Sequence, residues 1–182
     1  DGTFSDKIKE TLRGSFNRVY AEGSDVADFD GDGDIDVFAY GFLFRNDDGV
    51  YVQVCGDQMP GVYCDAEARN EEGALFEDID GDGTLDFVLS YHGAGGIIPK
   101  YYLQLFRGQP SEPGKLKRDT AYERQFYGFN TYLRGKDFDQ NGRPDVLTND
   151  PGRLLTYFQD KWVDLLPAVV AQSAGDLWPL GW

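Results

Sequence analysis

Histidine, methionine and cysteine are nearly missing from this chain of 182 residues, which holds one His, one Met and two Cys. His92 stands alone in Tyr91-His92-Gly93-Ala94-Gly95-Gly96, so a set of histidine-based catalytic roles has no second member. Cys55 and Cys64 with one histidine fall short of the four ligands of a tetrahedral zinc site. The two cysteines flank Gly56-Asp57-Gln58-Met59-Pro60-Gly61. They are near enough to close a local disulfide in an oxidising compartment, or to remain a pair of reduced thiols. Absent too are a Gly-x-Ser-x-Gly elbow, a phosphate-binding Gly-Lys-Ser/Thr loop and a His-Glu-x-x-His helix. No helical pattern follows Gly93 to Gly96, so that stretch is no dinucleotide fingerprint. The chain is expected not to be an enzyme.

Basic residues are also scarce: 17 Lys and Arg face 32 Asp and Glu, a formal net charge of −15. Nucleic acid and anionic lipid need cationic side chains to neutralise phosphate, so neither is an expected partner. Cations are, whether metal ions or basic protein surfaces. No apolar run nears the length that crosses a bilayer. The longest, Leu165-Leu166-Pro167-Ala168-Val169-Val170-Ala171, is short and interrupted by proline, so no membrane span is expected. The first residues, Asp1-Gly2-Thr3-Phe4, lack an initiator Met. They fit a processed secreted protein or a fragment, and an extracellular, secreted or periplasmic location is expected.

What the chain has in plenty is aromatic side chains (15%) and glycine (23 residues). The aromatics argue for an ordered core, and the glycines for tight turns between short strands. The length suits one domain over 1–182, with a tail at 166–182. Within it three segments align without gaps: Asp28-Phe29-Asp30-Gly31-Asp32-Gly33-Asp34-Ile35-Asp36, Asp78-Ile79-Asp80-Gly81-Asp82-Gly83-Thr84-Leu85-Asp86 and Asp137-Phe138-Asp139-Gln140-Asn141-Gly142-Arg143-Pro144-Asp145. Their starts lie 50 and 59 residues apart, the size of a small antiparallel sheet. Segments 37–40, 87–91 and 146–148 are β-prone and follow each loop directly. Further strands are expected at 50–54, 100–106 and 154–158. Turn residues separate them, and 108–114 reads as a surface loop. Only 6–12 and 165–171 have the pattern of short helical turns, so the fold class is all-β.

The shared pattern is Asp-x-Asp-x-Asp-Gly-x-x-Asp. Carboxylates alternating in a tight loop converge on one point and repel unless a cation neutralises them. A hard cation with many oxygen ligands meets that need, and calcium tolerates irregular geometry best. The expected ligands are Asp28, Asp30, Asp32, Asp34 and Asp36; Asp78, Asp80, Asp82, Thr84 and Asp86; and Asp137, Asp139, Asn141, Arg143 and Asp145. Position seven (Asp34, Thr84, Arg143) offers its backbone carbonyl, which explains the variety there. About three calcium ions are implied, the third held more weakly because Asn141 is neutral. Glycine at position six (Gly33, Gly83, Gly142) allows the left-handed turn around the ion. A helix-flanked EF-hand would need an acid at position twelve, where Ala39, Leu89 and Thr148 stand.

These loops resemble the calcium loops of the FG-GAP family, also called integrin-alpha or VCBS repeats. The opening Asp1-Gly2-Thr3-Phe4-Ser5-Asp6 is similar to the end of a preceding unit. The resemblance implies β-propeller-type blades of four strands, with the calcium loop joining two strands of a blade. Three units imply a partial or small propeller, because the family's rings usually have about seven blades. It also implies adhesion, ligand recognition or a non-catalytic part of a secreted protein. A protein partner or further propeller blades would complete such an array. Carbohydrate binding is the alternative, through aromatics outside the strands such as Tyr63, Tyr127 and Trp178.

Overall fold

The computed structural model describes residues 12–13, 23–39, 42–54, 70–92, 100–127, 132–149, 152–158 and 161–164. They form thirteen strands: β1 (Leu12–Arg13), β2 (Asp25–Ala27), β3 (Asp36–Ala39), β4 (Phe42–Asp47), β5 (Val50–Val54), β6 (Asn70–Glu77), β7 (Asp86–His92), β8 (Lys100–Gly108), β9 (Leu116–Tyr127), β10 (Leu133–Lys136), β11 (Asp145–Asn149), β12 (Gly152–Phe158) and β13 (Lys161–Asp164). No helix occurs among the described residues, and none there is long and apolar enough to cross a membrane. The chain is all-β. Cys55, Cys64, Tyr63, Trp178, the opening 1–6 and the tail 166–182 lie outside the described residues, as do both expected helical turns except Leu12, which is in β1.

Three sheets follow one another along the sequence. The second (β6-β7-β8-β9) and third (β10-β11-β12-β13) are simple antiparallel meanders. The first has the same meander, β2-β3-β4-β5, with β1 added in parallel along β5. Each acidic loop joins the first two strands of its meander: β2 to β3, β6 to β7 and β10 to β11. Asp48 and Gly49 close the β4–β5 hairpin with φ of 53° and 86°. Consecutive left-handed residues match the twist of paired strands, and Asp-Gly supplies them at low cost.

Period-two alternation explains how the sheets stack. Phe87 and Leu89 of β7 point to one side and pack with Phe38, Leu43, Phe76 and Phe106. Val88, between them, points to the other and packs with Leu75, Leu103, Leu133, Val146 and Leu155. The middle sheet is thus covered on both faces, which is why Phe87-Val88-Leu89 of β7 reads as a continuous apolar run. Aromatic rings fill the first interface: Phe87 lies 4.7 Å from Phe38 and 4.6 Å from Phe76, in tilted arrangements favoured by ring quadrupoles.

The first strands of the sheets come closest. Asp25 of β2 accepts a 2.7 Å hydrogen bond from the Phe76 amide of β6. A Cβ on Gly23 would stand 2.9 Å from the backbone of Gly73, and one on Gly73 2.9 Å from Leu133 of β10. Glycine at 23 and 73 lets these three backbones meet in order. Their loops are thereby gathered on one side.

Candidate metal centres

Each acidic loop repeats the same four hydrogen bonds. The position-one carboxylate (Asp28, Asp78, Asp137) accepts from the amide of the position-six glycine at 2.9–3.0 Å. Position three (Asp30, Asp80, Asp139) accepts from the amide of position five at 3.1–3.3 Å. Position five (Asp32, Asp82, Asn141) accepts from the amide of position seven at 2.8 Å. Position nine (Asp36, Asp86, Asp145) accepts from the amide of position two at 2.8–3.0 Å. Four side chains thus replace the backbone partners that a turn this tight cannot provide.

The backbone follows suit. Gly33, Gly83 and Gly142 have φ of 100°, 91° and 87°, as the sequence implies. Position four is also left-handed, with φ of 76° at Gly31, 77° at Gly81 and 60° at Gln140. Glycine at 31 and 81 is the sequence signal for that second left-handed position.

The loops bring carboxylates together in three groups: Asp28, Asp30 and Asp32; Asp78, Asp80 and Asp86; and Asp137, Asp139 and Asp145. In each group one oxygen per residue lies within 4.8 Å of the others, a spacing that one metal ion can span. At position seven, where the expected ligand is the backbone carbonyl, the side chains make contacts of their own. Asp34 accepts from the Asp48 amide at 3.1 Å. Thr84 donates its hydroxyl to Asp82. The stem of Arg143 crosses to the second loop, with Nε 3.3 Å from where a Cβ on Gly81 would stand.

The position-nine carboxylates are the buried members. Asp36 and Asp145 are fully buried and Asp86 is 1% exposed. Asp36 also accepts from the Asn46 amide of β4 at 2.7 Å, and Asp86 from the Gly108 amide of β8 at 2.9 Å. They therefore clip the loop to the third strand of the sheet. Burial pushes the Asp36 carboxyl up to about 6 and that of Asp86 up to about 7, against these backbone donors. Asp145 differs: Oδ2 accepts two amides, while Oδ1 is buried with no donor. Asp28 Oδ1 in the first loop is buried and without a donor as well. A carboxylate oxygen out of water with no donor costs free energy that a cation in the loop would recover. The donor set is all oxygen, so a hard metal ion fits it.

Protein-family models, curated proteins and solved structures yield no match to this chain. His92 ends β7, and among the described residues every Asp group that could take a metal belongs to a loop.

Proposed function

We propose that this chain is a non-catalytic calcium-binding repeat module of FG-GAP or VCBS type, acting outside the cytoplasm as a structural or protein-interaction subunit. The observation that carries the reading is the threefold recurrence of converging carboxylates, two of them with a buried oxygen no protein donor reaches. Calcium suits the loops because it accepts six to eight oxygens at uneven angles, whereas magnesium demands a near-ideal octahedron. With three ions bound, the loops rigidify the side of the molecule on which they gather.

Two features favour propeller-type blades, in a partial or small array. Each loop joins the first two strands of its meander, and those first strands meet in sequence order. A partner role draws on the third sheet. At position two, Phe29 and Ile79 are 7% and 0% exposed, buried by the next sheet, while Phe138 is 44% exposed. Two residues past each loop, Phe38 and Val88 are fully buried, but the corresponding Leu147 is 37% exposed. At Phe138 and Leu147 the third sheet repeats apolar positions of the first two but leaves them exposed, as expected of a surface that takes a further blade or a protein.

Native mass spectrometry with and without calcium tests both parts. The calcium reading expects three added ions and a chelator-sensitive melting temperature, and a mass indifferent to calcium would overturn it. The interaction reading expects association that Phe138→Ser weakens while the chain's own melting stays unchanged.

A further inference from the structure

The three loops are alike in backbone and unlike in the cations that face them. On the third strand of the first two meanders, one residue past the partner of the residue after position nine (Phe44 and Phe106), stand Arg45 and Arg107; the third sheet has Thr156 there, one past Leu155. Arg107 forms an ion pair with Asp80 and a second, at 2.7 Å, with Asp119 of β9. Arg143, reaching over from the third loop, adds another guanidinium beside Gly81. Arg45 instead grips Asp47 with two bonds of 2.6 and 3.0 Å and comes only within 3.9 Å of Asp30. Thr156 brings no charge: its hydroxyl accepts from Asn141 at 3.3 Å.

The loops also differ in unmet oxygens, here through backbone donors: Asp78 Oδ1 takes the Gly81 and Asp82 amides and Asp86 Oδ1 the Gly108 amide, where their counterparts Asp28 Oδ1 and Asp145 Oδ1 have no donor. In the second loop both oxygens of Asp78, Asp80 and Asp86 have donors, one of them the Arg107 guanidinium. The first and third loops each retain a buried carboxylate oxygen with none. We propose that Arg107 is a resident counter-ion of the second loop, which makes this loop the weakest metal site of the three and lets it keep its shape without metal. This rests on the reading that the loops bind divalent cations. A metal entering the second loop shares Asp80 with a guanidinium that Asp119 holds in place, and meets like charge there. At the first and third loops it meets oxygens that nothing else satisfies. The ordering differs from one based on ligand charge alone, in which the neutral Asn141 would make the third loop weakest.

The position-six glycine amides give each loop its own reporter. Calcium titration of the full chain, followed by the amide resonances of Gly33, Gly83 and Gly142, reads the sites separately. Gly83 is expected to shift at calcium concentrations at least about tenfold higher than the other two, a gap of about 1.4 kcal/mol. Arg107→Gln should bring the Gly83 midpoint toward the others and lower the melting temperature in chelator. Arg107→Lys, which keeps the charge, should retain the wild-type order and guards against a purely structural effect. A Gly83 midpoint at or below the other two, or one that Arg107→Gln leaves in place, overturns the proposal while the calcium reading stands. Glycine amides that ignore calcium altogether overturn both.

Discussion

Single side chains here serve first as hydrogen-bond partners for the loop backbone. Asp86 shows this best, since its two oxygens hold the Ile79 and Gly108 amides in a site 1% exposed. Removing it strands two buried donors. Asp86→Ala is therefore expected to cost about 3 kcal/mol in denaturant unfolding even with chelator present. Asp82→Ala, at an exposed position, should cost far less under chelator and show its main effect only with calcium. Gln140 is the reverse case: a side chain occupies a left-handed position that glycine fills in the other two loops. Gln140→Gly should stabilise the protein by up to about 1 kcal/mol, read from the same unfolding curves.

At the scale of strands and loops, the acidic loops were legible because their spacing and glycines are local signals. The strands after them were legible because Val37-Phe38, Phe87-Val88-Leu89 and Val146-Leu147 are short apolar runs rich in β-branched and aromatic residues. Strand β9 was not. Its Lys-Arg-Asp-Thr-Ala-Tyr-Glu-Arg-Gln stretch has no apolar alternation, since it forms the outer edge of the sheet and is held by backbone pairing to β8. The Arg107 pairings were equally silent, because an arginine 27 residues beyond Asp80 reaches it only through the β7–β8 hairpin. Gly23 and Gly73 likewise read as turn residues until strand meets strand. Their closeness makes a prediction for the element they join. Gly23→Ala places a methyl against the backbone of Gly73, which has no side chain to move aside. The expected cost is about 1–3 kcal/mol, measured by thermal unfolding.

For the whole molecule, Asp36 and Asp86 set a pH dependence whose sign is opposite to that of ordinary paired acids. Burial raises Asp86 from 3.8 to about 7 and Asp36 to about 6. Between those limits the metal-free folded state holds protons that the unfolded chain has released, and stability falls as pH rises. The contribution is fully present below pH about 4 and lost by about 7. Melting temperature in chelator should therefore decline across that window. Saturating calcium, which favours the ionised carboxylates, should flatten or invert the trend. A chelated protein that grows more stable from pH 5 to pH 7 would show that other groups dominate.

The two-sided cover of the middle sheet governs how the molecule comes apart. An outer sheet can lift away by opening a single apolar interface, whereas β7 is released only when both are lost. Unfolding should thus proceed inward from the ends, as in other one-dimensional stacks. Amide hydrogens of Phe87, Val88 and Leu89 should exchange with solvent only through global unfolding, and those of β3 and β11 through smaller, earlier openings.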